Sequence, residues 1–74
     1  MRGVIDRKGE QFAYVQGHNV YTLDGEPTGY IEGEYILDMA GNRMWRLVGD
    51  GIYSLNGAET IGYLGGERPL EYDR

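Results

Sequence analysis

Cysteine is absent from this chain, so neither a disulfide framework nor a thiolate metal site can hold it together. Histidine occurs once, at His18, which leaves no imidazole pair for a zinc site. No segment approaches the roughly 20 consecutive apolar residues of a membrane-spanning helix. The opening stretch MRGVIDRKGE also has no apolar run leading to a cleavage-like site. Secretion and membrane association are therefore not expected, and a cytoplasmic location is. Positive charge is scarce too: seven Lys and Arg against twelve Asp and Glu give a net charge of -5, and the basic residues are scattered. Such a chain repels a phosphate backbone, so nucleic acid is not an expected partner.

What the chain does have is enough apolar surface to fold, with 41% hydrophobic and 12% aromatic residues. Its 74 residues suffice for a single domain, residues 1–74. A domain this small buries only roughly 60% of the unfolded chain's surface. The thin core must be held by sheet pairing, aromatic packing or a partner chain, so self-association is expected.

A period of sixteen residues runs through the sequence, as VIDRKGEQFAYVQGHN (4–19), VYTLDGEPTGYIEGEY (20–35), ILDMAGNRMWRLVGDG (36–51) and IYSLNGAETIGYLGGE (52–67). The first column is β-branched and aliphatic (Val4, Val20, Ile36, Ile52), and the sixth is glycine (Gly9, Gly25, Gly41, Gly57). The twelfth is aliphatic in the first three copies (Val15, Ile31, Leu47), and one extra residue near Ile61 shifts the fourth. A second set of glycines, Gly17, Gly33, Gly49 and Gly66, ends each copy and leads into short polar links.

Each copy reads as a β-hairpin. Asp24-Gly25 and Asn56-Gly57 are dipeptides favoured in two-residue hairpin turns, where glycine supplies the positive φ that a side chain resists. With the turn at columns five and six, strand alternation puts columns one, three, eight, ten and twelve on one face. That face carries Val20, Gly29 and Ile31 in the second copy, and Ile36, Trp45 and Leu47 in the third. The opposite face of the second copy carries Tyr21, Leu23, Thr28 and Tyr30. No helical periodicity competes, so the fold class is all-β: four tandem hairpins that close around an axis instead of leaving two exposed edges. The tail, residues 68–74, reads as an extra strand or clasp, with Pro69 unsuited to a central position.

The sixteen-residue repeat, its turn glycines and the strand ends GYIEG and GYLGG resemble the four-fold β flower domain, in which four short hairpins stand like petals around a pseudo-fourfold axis. The resemblance covers Val4 to about Gly66 and implies that architecture, with no activity attached. A more distant similarity, to choline- or glucan-binding repeats, rests on YTLDGEPTGY; the tryptophan pairs of such repeats are missing here.

Chemistry-bearing residues are few. His18 lies in the link GHN, and Ser54 shares its column with Asp6, Thr22 and Asp38, where a small polar side chain before a turn bonds local backbone. No phosphate loop or calcium loop is legible, so no cofactor, no metal and no catalytic role are expected. Symmetry breaks once: where other copies have Ala13-Tyr14, Gly29-Tyr30 and Gly62-Tyr63, the third has Trp45-Arg46, preceded by Met44. Trp45 can fill axial space left by the small residues while Arg46 stacks on a tyrosine or pairs with an acid. Alternatively, Trp45, Arg46, Tyr14, Tyr30 and Tyr63 form a binding platform or an interface. The preferred function is a non-catalytic structural or protein-interaction module that pairs with itself or another protein. The alternative is a small-molecule or carbohydrate-binding module using Trp45, Arg46 and tyrosines.

Overall fold

A computed structural model of the protein describes residues 1–67. Its strands are β1 (Arg2–Asp6), β2 (Gln11–Gln16), β3 (Asn19–Thr22), β4 (Pro27–Glu32), β5 (Tyr35–Asp38), β6 (Arg43–Val48), β7 (Gly51–Tyr53) and β8 (Thr60–Glu67). Each is antiparallel to its sequence neighbours, and β8 returns to β1, so the sheet closes into a barrel in simple chain order. The expected all-β fold of four hairpins closed on themselves is therefore the fold observed. Closure pairs Val4 with Leu64, Ile5 with Tyr63 and Asp6 with Gly62. It is made by β8; the strand or clasp expected over residues 68–74 lies outside the described residues.

Two kinds of turn alternate around the ring. At one end of the barrel, the turn end, Asp6–Glu10, Thr22–Glu26 and Asp38–Asn42 enclose three residues. In the first of these, Gly9 donates to the Asp6 carbonyl at 3.0 Å and Asp6 donates to the Glu10 carbonyl at 2.9 Å. This is a type I turn closed by a left-handed glycine, with φ between 77° and 91° at Gly9, Gly25, Gly41 and Gly57. The Asp-Gly and Asn-Gly dipeptides thus sit in loops longer than the two-residue turns expected of them. The physical reason lies one step earlier in the chain. The Asp6 and Asp38 carboxylates each accept amides from two and four residues ahead, at 2.9–3.0 Å, and Thr22 Oγ1 accepts from Glu26. Ser54 Oγ accepts from Glu59, five residues on, because the fourth loop holds one more residue. The extra residue expected near Ile61 is therefore in this turn, between Ser54 and Glu59.

The two-residue turns are at the opposite, link end, as Gly17-His18, Gly33-Glu34 and Gly49-Asp50. Only the glycine of each has positive φ, 60–65°, as the first central position of a type II′ hairpin requires. The second residue's carbonyl then accepts an amide from the next hairpin: His18 from Ile31, Glu34 from Leu47 and Asp50 from Leu64, at 2.7–2.8 Å. Each link is so tied to the neighbour it leads into.

Every hairpin carries a one-residue bulge, at Phe12, Thr28, Met44 and Ile61, where the register slips after the first-column residue. The bulge carries this column to the interior: Phe12, Thr28 and Met44 line the barrel's cavity, and Ile61 packs against its core. The strict alternation expected from sequence, with Thr28 among the outer tyrosines and column eight inside, fails for this reason. Gln11, Pro27 and Arg43 of column eight are exposed. The core itself is the first column, Val4, Val20, Ile36 and Ile52, joined by Ala13, Val15 and Leu64. Each fully buried aliphatic side chain contributes about 1.5–3 kcal/mol.

The tenth column shows how little room the ring has. A Cβ on Gly29 would collide with the Leu37 carbonyl oxygen, and one on Gly62 with the Ile5 carbonyl oxygen. Gly33, by contrast, has positive φ but open space around it. Gly33→Ala is expected to cost about 1 kcal/mol, the left-handed backbone penalty alone. Gly29→Ala should cost about 3 kcal/mol or more, because backbone must move. Urea unfolding of the two variants measures the difference; equal losses would contradict the close strand approach.

Candidate functional site

Between the bulges and the core lies an apolar cavity of about 240 Å³. Val4, Ala13, Val15, Val20 and Ile36 form its floor, and Phe12, Thr22, Thr28, Met44 and Trp45 surround it toward the turn end. Phe12 and Trp45 meet edge to face, with ring centroids 6.3 Å apart and planes at 88°. They come from β2 and β6, four strands apart in a ring of eight, so opposite hairpins touch across the mouth. Trp45 is half-buried and packs against the core, while Phe12 is 38% exposed.

Arg46 and the eleventh-column tyrosines lie on the outer surface. Tyr14 stacks on Tyr21 at 5.2 Å, with 17° between planes. An added Cβ on Gly25 would meet the Tyr14 hydroxyl at 3.6 Å, and one on Gly41 the Tyr30 hydroxyl at 3.7 Å. Each tyrosine thus leans across its neighbour's turn glycine. In the third copy Arg46 takes the tyrosine's place and borders, with Val48, Tyr53 and Gly57, a shallow depression. Arg46 pairs with Glu34 at 3.4 Å, but its Nε is buried with no hydrogen-bond partner among the described residues. The arginine that stacks on a tyrosine is Arg43, 4.3 Å over Tyr35. Tyr63 is 48% exposed, and His18 is exposed in its link. The structure therefore places Trp45 inside and Arg46, Tyr14, Tyr30 and Tyr63 outside, spread around the barrel, and does not bring the five into one site.

The four-hairpin ring with its repeating glycines has a counterpart among known families. A family model described as 4-fold beta flower protein matches residues 2–68. The chain belongs to the 4-fold beta flower family. No curated protein sequence and no solved structure matches it. The match spans all four petals of this beta flower, and its description names an architecture, with no ligand or reaction.

The petal tips carry a feature of which the sequence pattern singled out only Leu23, on the opposite face of the second copy. The residue after the polar turn opener is Leu23, Met39 and Leu55 in the second to fourth petals, and these are 58%, 61% and 45% exposed. The first petal has Arg7 and Lys8 there, both exposed. The signal was available as the fourth column of the repeat, three large apolar residues in a turn that strand packing does not use. Among the described residues no group of three or more His, Cys, Asp or Glu is placed to hold a metal ion, and no helix is long and apolar enough to cross a membrane.

One tip carboxylate is electrostatically distinct. The Asn42 backbone amide, helped by the Asn42 side chain and the Ala40 amide, holds the Asp38 carboxyl below its ordinary value. A lowered folded-state pKa means that this carboxylate's stabilising contribution is complete above the unfolded value of about 3.9, and is lost as pH falls through the folded one. Carbon-13 NMR titration of Asp38 should give a midpoint below that of an unfolded aspartate; a midpoint at or above it would remove these bonds from the account. A second expectation concerns Arg46→Tyr, which restores the repeat. It should leave stability unchanged or raise it by about 1 kcal/mol in urea unfolding, since a weak exposed ion pair and an orphaned Nε are both removed. A loss of more than about 1 kcal/mol, the most such a pair supplies, would show that Arg46 makes a contact tyrosine cannot replace.

Proposed function

We propose that this beta flower is a non-catalytic protein-interaction module that pairs with a second copy of itself through the turn end of the barrel. The observation that carries the reading is the set of petal tips, three of which expose Leu23, Met39 and Leu55 to water beside an apolar cavity. Three large apolar side chains exposed at one end of a small domain point to a contact site. Charge supports a second copy as the occupant. Exposed Arg7 and Lys8 stand at the head of the first tip, with Asp6 and Glu10 at its base, and exposed Asp24 and Glu26 stand on the second. A twofold axis lying between these two tips places the first of one copy over the second of the other, twice. The same operation sets Met39 against the partner copy's Leu55, so charged pairs and apolar pairs are satisfied together. A carbohydrate platform built from Trp45, Arg46 and tyrosines has less support, because those side chains lie on opposite faces. A cytoplasmic setting belongs to the same reading and fits a chain without cysteine.

Sedimentation equilibrium is the test. The protein should show a dimer of the 8.3 kDa chain, weakened by salt, and the triple variant Leu23→Ser, Met39→Ser, Leu55→Ser should be monomeric. Lys8→Glu should weaken the dimer at least about tenfold, a desolvated like-charge contact costing more than 1.4 kcal/mol, and adding Asp24→Lys should restore it. A wild-type monomer at millimolar concentration, or a triple variant that still dimerises, would overturn the proposal.

A further inference from the structure

The cavity raises a question that dimerisation does not answer, since its floor is reached by nothing on the petal tips. An apolar cavity of roughly 150 Å³ stays dry and accepts benzene. This one, at about 240 Å³, has room for a ring bearing a small substituent, and its mostly apolar lining gives a sugar or nucleotide too few hydrogen-bond partners. Among the described residues no charged side chain lines it, so an ion entering would lose its hydration without a partner. Among the described lining residues the hydroxyls of Thr22 and Thr28 and the Trp45 indole N–H are the strong hydrogen-bonding side-chain groups. The Thr22 hydroxyl accepts from the Glu26 amide at 3.2 Å, which leaves its hydrogen to donate. Thr28 is half-buried, and its hydroxyl has no hydrogen bond among the described residues. The entrance is bounded by Phe12, which sits on the bulge where strand pairing is interrupted and is exposed on its outer side.

We infer that the barrel interior is a binding site for a small uncharged aromatic molecule carrying one hydroxyl or similar hydrogen-bonding group. The ring lies against Val20, Ile36 and Trp45, and the polar group meets Thr28. Phe12 moves aside to admit it and returns to stack on its edge. Specificity follows from what surrounds the ligand: apolar walls reject charge, and the pair of threonines favours a phenol over a plain hydrocarbon. The inference does not rest on the dimer, because every lining residue belongs to one copy.

The probe is 4-methylphenol, titrated into carbon-13- and nitrogen-15-labelled protein carrying Leu23→Ser, Met39→Ser and Leu55→Ser, none of which lines the cavity, so that self-association does not intrude. The Trp45 indole N–H and the Val20 and Ile36 signals should shift with a dissociation constant on the order of 10⁻⁴ M, with intermolecular NOEs from the probe to both aliphatic side chains. Benzoate, of nearly the same size but charged, should produce no shift at these residues. Thr28→Val should weaken 4-methylphenol about fivefold while leaving toluene binding unchanged, a difference that follows from one hydrogen bond. Thr28→Trp, whose ring takes up most of the cavity, should abolish both. Should Thr28→Trp not fold, the valine variant decides alone. Shifts confined to the outer residues Tyr14, Tyr30 and Tyr63, equal binding of the benzoate, or no response at millimolar 4-methylphenol would overturn the inference.

Discussion

The pairing of β8 with β1 is the interaction on which the rest of the structure depends. Without it the eight strands form a meander of short hairpins, and isolated hairpins are marginal in water. With it, the four first-column residues face one another, and Val4 of the first strand is covered by Leu64 of the last. Closure also removes the open edges that a chain of this composition can ill afford. The cost is space. A ring this narrow leaves no room at Gly29 and Gly62, whose Cβ positions are taken by neighbouring carbonyls, yet it accommodates Ala13 and the large Trp45 at the same column.

That alternation gives the barrel its asymmetry. Petals two and four approach by glycine at the tenth column, while petal three brings Trp45, which meets Phe12 of the first petal's bulge across one diameter. The cavity lies beneath that contact. Repeat symmetry alone would give four equal mouths or none; the departure from it shapes one pocket of defined size.

Much of the fold was legible in the sequence because the constraints repeat. Glycine in one column of four copies marks a backbone conformation, and aliphatic residues at columns one and twelve mark an inner face. The bulges were not legible, since nothing distinguishes Phe12, Thr28 and Met44 as a class; they share a position and no chemistry. Missing them put Thr28 on the wrong face. Turn length was misread for a related reason: Asp24-Gly25 is a signal for two-residue turns, and it was overridden by the side-chain bonds from Thr22 and its counterparts. The candidate site was legible as an anomaly at Trp45-Arg46, but adjacent strand residues point to opposite faces. Leu23 stood out on its own, but the shared column with Met39 and Leu55 did not, because an exposed leucine in a turn is unremarkable until three of four copies share it.

Ring closure can be measured directly by backbone NOEs in the wild-type protein. The account predicts contacts between Val4 and Leu64 and between Ile5 and Tyr63, with β1 amides exchanging as slowly as those of β4 and β5 in the middle of the sequence. Fast exchange along β1 with no contact to β8 would mean an open meander, and the cavity, the crossed aromatic pair and the opposed petal tips would all lose their basis.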